Sequence, residues 1–416
     1  MLFTSLNLSK PIMQALESAG YETPTPIQEQ AIPTILQHHD VLACAQTGTG
    51  KTAAFSLPII EQLLVKKHEG AYRGPKALIL APTRELAIQI GENIAVYVSK
   101  THLRHTVVFG GVSAVNQIKE LRRRPEILVA TPGRLLDLIN QRVLSLQEVR
   151  FLVLDEADRM LDMGFIKDIQ RVIAMIPANR QTLLFSATMP KEIEKLASDI
   201  LRNPKHIAVA PVSSTVDTIK QAVYPVAKPD KIDLLAHLVR EEGDGNVLVF
   251  SRTKHGADKI VRKLRKAGIS GEAIHGNKSQ QARQKALKAF KAGTITVLVA
   301  TDIAARGIDI DKLQLVINYD LPNEPETYVH RIGRTGRAGE LGTALSFCDI
   351  EEREYLWDIC KLIKQQLPMV TNHPYVPENL AEYEEKPKQV QAAANSNKKR
   401  NNNKRRRPQQ RYRAAV

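Results

Sequence analysis

The chain has 416 residues, of which 43% are hydrophobic and 25% charged, and its formal net charge is +15. This length exceeds what one hydrophobic core usually supports, and every apolar run is too short to cross a bilayer, so we expect two domains and exclude a membrane-spanning protein. Three cysteines without paired spacing, and a start without a secretory leader, indicate a cytoplasmic chain without disulfides or zinc.

Short runs rich in Val, Ile and Leu alternate with amphipathic segments along the chain. This pattern is typical of buried parallel strands joined by crossover helices, so it predicts an α/β fold. Strands are predicted, in chain order, near 41–43, 77–80, 106–109, 127–130, 151–154 and 181–185, and then near 247–250, 296–300, 315–318 and 343–347. A stretch rich in Pro, Ser and Thr separates the two sets and indicates a linker between two sheets.

The positive charge is concentrated at the C-terminal end. Residues 386–416 hold eleven Lys or Arg and no Asp or Glu, which leaves a net charge of +4 for residues 1–385. The Asn, Lys and Arg repeats in this segment cannot bury a core, so we predict a disordered basic tail that meets a polyanion.

A glycine-rich segment follows the first predicted strand and precedes a helical one. It consists of Ala45, Gln46, Thr47, Gly48, Thr49, Gly50, Lys51 and Thr52. Its backbone N–H groups can cradle phosphates, while Lys51 neutralises the β and γ phosphates and the Thr52 hydroxyl binds Mg²⁺. The general pattern for such a loop begins with Gly, whereas this segment begins with Ala45, so a simple turn remains an alternative on these residues alone.

A second signal stands at the end of the buried strand near 151–154. There, Asp155 can hold magnesium and Glu156 can orient and deprotonate an attacking water. Acidic residues are also common at helix N-termini, so the pair is ambiguous by itself. Its position at the same sheet edge as Lys51 favours a nucleotide site.

Asp155, Glu156, Ala157 and Asp158 spell the motif of the DEAD-box ATP-dependent RNA helicases, and the chain closely resembles that family over residues 3–365. The family's phosphate loop begins with Ala, which accounts for Ala45. The resemblance implies two tandem RecA-like domains, ATP and Mg²⁺ as cofactors, and RNA as partner. It divides the chain into a Q-motif region at 1–30, an ATP-binding domain at 31–207, a linker at 208–218, a C-terminal domain at 219–375 and the tail at 376–416.

The resemblance also assigns the remaining nucleotide contacts. The segment 20–28 matches the family's Q motif, in which Gln28 pairs with the adenine edge and the ring of Tyr21 packs on the base. Phe3 matches the isolated aromatic residue upstream of that motif. Asp309 matches the position that contacts the ribose.

Coupling and charge stabilisation are assigned to two further motifs. Ser186 and Thr188 resemble the motif that couples hydrolysis to unwinding, and their hydroxyls can hydrogen-bond the segment 155–158, of which Asp158 is also assigned to coupling. In the second half, Arg331 is assigned to coupling, and Arg334 and Arg337 are candidate arginine fingers. Since these arginines belong to the other domain from Lys51, we expect hydrolysis to require domain closure.

The RNA path follows from the same resemblance. It comprises Thr83, Arg84, Gly110, Gly111, Thr131 and Arg134 in the first half, and Arg252, Gly276, Arg283 and Thr301 in the second. Arginines and hydroxyls suit phosphates, and glycines allow close backbone approach. These residues include no cluster that reads bases, so we expect single-stranded RNA and short duplexes to be bound largely independently of sequence.

Two other functions stay open at this point. An ATP-gated RNA chaperone or clamp would use the same motifs, and so would a DNA helicase of the same superfamily, against which the Q motif and the DEAD motif argue. The basic tail resembles the bacterial group called RhlE, and ribosome assembly and RNA decay are both family roles. Trp357 shares a helical stripe with apolar residues and is interpreted as a core residue.

Overall fold

The computed structural model describes residues 2–45, 48–65, 74–208, 219–241, 245–305, 313–335 and 342–384. Within these ranges the chain forms two parallel sheets flanked by helices, which confirms the predicted α/β class. The predicted linker at 208–218 lies outside the described residues except for Ala208, and the predicted tail lies outside them beyond Glu384. None of the helices in these ranges is both long and apolar enough to span a bilayer.

The first sheet has seven strands, and all of its paired strands run parallel. The strands are β1 Val41–Cys44, β2 Ala77–Leu80, β3 His105–Val108, β4 Ile127–Ala130, β5 Phe151–Leu154, β6 Gln181–Ser186 and β7 Lys205–Ala208. Their order across the sheet is β3-β4-β2-β5-β6-β1-β7. Ile79 and Val153 pack in the core on one face, whereas Leu78 and Leu152 pack in the core on the other. Both faces are therefore covered, which explains why the central strands are continuous apolar runs.

Helices connect these strands and cover both faces of the first sheet. They are α1 Lys10–Ser18, α2 Pro26–Leu36, α3 Lys51–Val65, α4 Arg84–Val98, α5 Ala114–Leu121, α6 Pro132–Asn140, α7 Ala157–Asp162, α8 Ile166–Ile173 and α9 Lys191–Ile200, after a short 3₁₀ helix at Phe3–Leu6. Helix α2 begins with a capping box between Thr25 and Gln28, with Pro26 in its first turn. Thr83 caps α4 by accepting a hydrogen bond from the Leu86 amide at 3.2 Å.

The second sheet has six strands in the order β10-β11-β9-β12-β13-β8, again with parallel pairing. The strands are β8 Ile219–Pro225, β9 Val247–Phe250, β10 Gly271–Ile274, β11 Val297–Ala300, β12 Leu315–Asn318 and β13 Gly342–Cys348. The helices are α10 Lys231–Glu241, α11 Lys254–Lys266, α12 Gln280–Lys291, α13 Asp302–Ala305, α14 Pro325–Ile332, α15 Arg353–Ile363 and α16 Leu380–Glu384, with a 3₁₀ helix at Ile350–Glu352.

All ten predicted strands are present, but the sequence analysis missed β7, β8 and β10. Each of the three lies at an edge of its sheet. The apolar signal is interrupted in each of them, by Lys220 and Gln221 in β8, by Gly271 and Glu272 in β10, and by exposed positions in β7. In β7, for example, only Ile207 is buried.

Two interpretations near the C-terminal end are corrected by packing. Trp357 is 38% exposed, because α15 turns Leu356 and Ile359 towards the core and Trp357 away from it. The predicted tail begins too early, since residues 380–384 form α16 and Tyr383 is buried in the same core cluster as Leu356.

The motifs follow the C-terminal ends of the parallel strands. In the first domain they come after β1, β2, β5 and β6, and in the second after β9, β10 and β11. The C-terminal ends of parallel strands meet at one edge of a sheet, which is where ligands bind in open α/β folds. The topology therefore gathers the predicted residues at one edge of each domain.

Candidate active site

The phosphate loop joins β1 to α3, and Lys51 is the first residue of that helix. Gly48 and Gly50 have φ angles of +87° and +92°, a region that favours glycine. The Lys51 ammonium donates a hydrogen bond to the Ala45 carbonyl at 3.0 Å. Gln46 and Thr47 lie outside the described residues. Thr49 lies in the loop before α3, and Thr52 is the second residue of that helix. The loop therefore presents a buried lysine at a helix N-terminus.

Asp155 lies opposite this lysine at the end of β5. Its Oδ1 is 3.9 Å from Lys51 Nζ and makes no hydrogen bond to the described residues. The side chain is 2% exposed, and burial raises the pKa of its carboxyl to about 6, although the nearby ammonium opposes that shift. A buried carboxylate oxygen without a hydrogen-bond partner, near the start of the helix that carries Thr52, fits an oxygen-ligated cation such as Mg²⁺.

Glu156 has a left-handed backbone, with φ +55° and ψ +55°, at the N-terminus of α7. This conformation is uncommon for a residue with a side chain. Its Oε2 accepts a hydrogen bond from Nη1 of Arg159 at 2.6 Å, and both side chains are buried. Arg159 is absent from the predicted site, and the only signal for it is its spacing of three residues from Glu156 on a helix.

Asp158 forms a dense hydrogen-bond network with the segment after β6. Its Oδ2 accepts from the Ala187 amide at 3.2 Å, the Thr188 amide at 2.9 Å and the Thr188 hydroxyl at 3.0 Å. The Ser186 hydroxyl accepts from the Asp158 amide at 3.2 Å. Hydrogen bonds between these hydroxyls and the segment 155–158 are therefore present as predicted, and the structure shows that all of them involve Asp158. The Ala187 and Thr188 amides add two bonds that the sequence did not indicate.

Gln28 contacts the phosphate loop directly. Its Oε1 accepts from the Thr25 amide at 2.9 Å, and its Nε2 donates to the Gly50 carbonyl at 3.1 Å. A Cβ atom at Gly50 would lie 2.4 Å from that Nε2, so the close approach requires glycine. In this conformation the Gln28 amide braces the loop, and its predicted pairing with adenine stays a prediction.

The ring of Tyr21, in the Q-motif region, is held by edge contacts with two other aromatic rings. Tyr21 is half-buried, and its ring makes edge contacts with Phe3 at 5.9 Å and Tyr97 at 6.0 Å between centroids. The Tyr21 and Tyr97 hydroxyls lie 2.9 Å apart. Phe3 is only 2% exposed, so it supports the Tyr21 ring and offers no open face for a base.

Arg334 faces these residues from the second domain. A cavity of about 220 Å³ is lined by Glu156, Asp158, Arg159 and Thr188 from the first domain and by Glu326, His330 and Arg334, among others, from the second. The structure thus brings Arg334 and the predicted water-activating Glu156 to one cavity. Arg337 and Asp309 lie outside the described residues.

Arg331 is buried within the second domain. Its guanidinium makes two hydrogen bonds to Asp302, at 2.6 and 2.8 Å, and others to the Asn318 side chain and the Asp320 carbonyl. It also lies over the ring of Phe250 at 5.0 Å. These contacts hold Arg331 as an internal brace of that domain, and none of them crosses the cleft.

A second inter-domain cavity, of about 460 Å³, gathers most of the predicted RNA residues. It is lined by Thr83, Arg84, Gly110, Thr131 and Arg134 from the first domain and by Gly276 and Arg283 from the second. Arg134 donates to the Val112 carbonyl at 2.8 Å and to Gln117 at 3.1 Å, so its guanidinium is held in place. Gly111 adjoins the cavity, and a Cβ atom there would lie 2.0 Å from Arg84.

Arg252 and Thr301 do not line this cavity. Arg252 donates to Glu352 at 2.7 Å and to the Leu321 carbonyl at 3.0 Å, and its guanidinium lies over the Tyr355 ring. Thr301 stands before α13, where its carbonyl accepts hydrogen bonds from the Ala304 and Ala305 amides. Their assignment to the RNA path stays a prediction.

Glu85, which belongs to the same motif as Thr83 and Arg84, makes contacts between the domains that the sequence analysis did not predict. It lies in the first turn of α4, next to Arg84. It accepts a hydrogen bond from Gln280 at 3.0 Å and forms an ion pair with Arg283 at 2.9 Å. All three side chains are buried between the domains. A Glu in the first turn of a helix is ordinary, so only the facing domain reveals its role.

Comparison with known proteins agrees with this geometry. A family model described as DEAD/DEAH box helicase matches residues 25–196, and one described as helicase conserved C-terminal domain matches residues 230–339. The DEAD-box ATP-dependent RNA helicase CshA of Geobacillus kaustophilus is 44% identical over 365 residues, which cover 88% of this chain and 77% of the relative. The ATP-dependent RNA helicase CshA of Limosilactobacillus reuteri is 44% identical over 370 residues, covering 89% and 73%.

Solved structures extend the similarity to both domains. Saccharomyces cerevisiae Dbp5 bound to RNA and ADP BeF3 superimposes with a TM-score of 0.77 at 33% identity, covering 89% of this chain and 95% of that one. A DEAD box protein from Methanococcus jannaschii gives a TM-score of 0.52 at 40% identity, covering 89% and 99%. The predicted pair of RecA-like domains is confirmed.

Proposed function

The chain belongs to the DEAD-box family of ATP-dependent RNA helicases, and we propose on this basis that it hydrolyses ATP in its inter-domain cleft and separates short RNA duplexes by closing on one strand. The observation that carries this proposal is the division of both cavities between the two domains. Glu156 and Arg334 line one, and Arg84 and Arg283 line the other. Each site is complete only when the domains meet.

The roles of the hydrolytic residues follow from their positions. Lys51 and the loop amides bind the β and γ phosphates, because a buried ammonium at a helix N-terminus attracts anions. Glu156 orients and deprotonates the attacking water, and the buried Arg159 guanidinium holds its carboxylate in place. Asp155 and Thr52 would hold magnesium, which would supply positive charge for the phosphate oxygens.

Arg334 supplies positive charge where the transferred phosphoryl group becomes more negative. It belongs to the second domain, whereas Lys51 and Glu156 belong to the first. Hydrolysis therefore depends on closure, and the Asp158 network with Thr188 lies beside the same cavity. We propose that this network transmits closure between the hydrolytic site and the rest of the first domain.

RNA binding follows from the chemistry of the larger cavity. Arg84, Arg134 and Arg283 provide positive charge, and Thr83 and Thr131 provide hydroxyls. Phosphates and 2′-hydroxyl groups are the RNA features that such side chains bind. We propose binding that is largely independent of base sequence and limited to a short segment of one strand.

The test is ATP turnover with and without RNA, followed by strand separation of a short RNA duplex and of a DNA duplex with the same sequence. We expect RNA to stimulate turnover and the RNA duplex to separate only with ATP. Stimulation of ATP turnover by RNA without strand separation of the duplex would favour an ATP-gated RNA chaperone or clamp. Equal separation of the DNA duplex would indicate a helicase without RNA preference.

The cellular role concerns where the protein acts and on which class of RNA. We propose a cytoplasmic enzyme acting on ribosomal precursors or on RNA undergoing decay. The two relatives described above carry the name CshA, so the assignment to the RhlE group stays a prediction. Crosslinking the protein to RNA in cells and sequencing the attached RNA would identify the substrate.

A further inference from the structure

Positive charge is concentrated in one part of the second domain. Residues 251–291 contain twelve Lys or Arg and only two Asp or Glu, a net charge of +10. Residues 1–385 as a whole carry a net charge of +4. The rest of those residues is therefore net negative, so the positive charge of the two-domain region comes from this single segment, which runs from the end of β9 to the end of α12.

Helix α11 presents much of this charge to solvent. One face of the helix is buried in the core through Ala257, Ile260, Val261 and Leu264. The opposite face carries His255, Lys259, Arg262 and Lys266, whose spacing of four, three and four residues aligns them in one stripe. Lys263 lies beside this stripe. We call Lys259, Arg262, Lys263 and Lys266 the α11 basic face; all four are exposed.

The α11 basic face is not neutralised by nearby acids. Of the two carboxylates in the segment, Asp258 pairs with Lys278 at 2.9 Å and Glu272 pairs with Arg265. Among the residues that the structure describes, no carboxylate forms an ion pair with any member of the face. Like charges four residues apart on a helix repel each other, as Lys259 and Lys263 do here. The face is thus a surface that an anion would stabilise.

Helix α11, which carries this face, begins beside the larger inter-domain cavity. At the N-terminal end of α11, the Lys254 ammonium donates to Asn277 Oδ1 at 3.2 Å. Asn277 follows Gly276, which lines the cavity together with Arg84 and Arg283. From this point the helix extends the basic surface by roughly 18 Å, given a rise of about 1.5 Å per residue.

We propose that the α11 basic face binds the phosphate backbone of RNA that flanks the segment held in the cavity. This inference rests on the proposed function, because it takes the cavity to be the RNA path. The face has no aromatic side chain for base stacking, and lysines bind phosphates as point charges. Binding is therefore independent of base sequence, sensitive to salt, and outside the ATPase cycle.

The experiment compares two RNAs on the full chain in the presence of a non-hydrolysable ATP analogue. One is a single strand of about six nucleotides, near the lower end of single-strand site sizes, and the other is the same strand extended on both sides. The variant combines Lys259→Gln, Arg262→Gln and Lys266→Gln. The control combines Lys195→Gln, Arg202→Gln and Lys205→Gln, three exposed residues of the first domain that remove the same charge.

We expect wild type and control to bind the extended RNA about tenfold more tightly than the short one, and the α11 variant to lose most of that gain. The salt slope for the extended RNA should fall by about 2 in the α11 variant, since each phosphate contact to a single strand contributes roughly 0.7. In the α11 variant, the affinity for the short RNA and the maximal ATPase rate should be unchanged. That result would also show that this variant is folded.

Three results would overturn the inference: equal affinity of wild type for both RNAs, an unchanged gain in the α11 variant, or an equal loss in the control. The first would show that nothing beyond the cavity binds RNA, and the last would indicate a general effect of charge. Failure of the short RNA to bind wild type or to stimulate its ATPase would instead refute the proposed function.

Discussion

Glu85 of the first domain forms an ion pair with Arg283 of the second, with 2.9 Å between Glu85 Oε2 and Arg283 Nη2. Both side chains are almost fully buried, and Gln280 donates to the other oxygen of the same carboxylate. Arg283 also lines the cavity to which we assign RNA. One arginine therefore contacts the partner domain and also lines the cavity of the proposed RNA path, so we propose that RNA binding and closure are linked through it.

Removing one partner of this contact should oppose closure. A buried charge left without its partner costs about 3–5 kcal/mol, so Glu85→Gln and Arg283→Gln should each lower RNA-stimulated ATP turnover by at least about tenfold. ATP binding should persist, because neither residue contacts the phosphate loop. The double variant should lose less than the sum of the two single losses, as measured in a double-mutant cycle, and strict additivity would contradict the contact.

The assignment of water activation to Glu156 predicts a separation of binding from hydrolysis. Glu156→Gln should bind ATP and RNA but hydrolyse ATP ~10² to 10⁴ times more slowly, the usual contribution of a general base. Lys51→Ala should instead lose nucleotide affinity, because it removes the buried ammonium to which we assign phosphate binding. Titration with a fluorescent ATP analogue and a steady-state ATPase assay measure the two effects. Near-normal turnover in either variant would contradict the assignment.

Arg334 should matter for turnover and not for ATP binding. Arg334→Ala removes the positive charge that lines the smaller cavity opposite Glu156, so turnover should fall by roughly 10³-fold, as for arginine fingers in general. ATP affinity should stay within a factor of about two, because the phosphate loop lies in the other domain. A matched Arg353→Ala variant, on the partly buried start of α15, controls for loss of charge. Equal turnover in the two variants would exclude the finger role.

Two adjacent glycines provide a matched test of the RNA cavity. A Cβ atom at Gly111 would lie 2.0 Å from Arg84 Nη1, whereas one at Gly110 would meet nothing within 4 Å. Gly111→Ala should therefore displace Arg84 and, because Gly111 has φ +79°, also strain the backbone after β3. The RNA concentration for half-maximal ATPase should rise by at least about tenfold, as expected when a charge-assisted hydrogen bond of about 1.5 kcal/mol is lost. Gly110→Ala should have little effect. Similar values for both variants would count against Arg84 as an RNA contact.

The basic segment beyond the described residues should act as a tether for RNA. Deleting residues 386–416 removes eleven positive charges, so RNA affinity should fall and its salt slope should decrease by about 0.7 for each lost phosphate contact. The maximal ATPase rate should hardly change, because Lys51, Glu156 and Arg334 remain. RNA-stimulated ATPase at two salt concentrations tests this. Unchanged half-saturation at both would exclude a tether, and a large loss of maximal rate would place the segment inside the cycle.

The sequence by itself determined the class of fold, the central strands and the motif residues of the phosphate loop. Central strands of a parallel sheet are buried on both faces, so each is a continuous apolar run that can be recognised locally. The phosphate loop is equally local, because Gly48, Gly50 and Lys51 perform their roles through the backbone and helix that they themselves form. Resemblance to the family then supplied roles for residues whose local sequence is unremarkable, such as Ser186 and Thr188.

Only the tertiary structure decided the contacts between distant segments. It paired Glu85 with Arg283 across the domains and buried Arg159 against Glu156. It also directed Arg331 into its own domain and turned Trp357 outwards. The sequence around a charged residue does not identify its ionic partner. That partner depends on which faces of the two sheets and their helices pack together. Local periodicity records burial, whereas the choice of ionic partner depends on the packing of the whole chain.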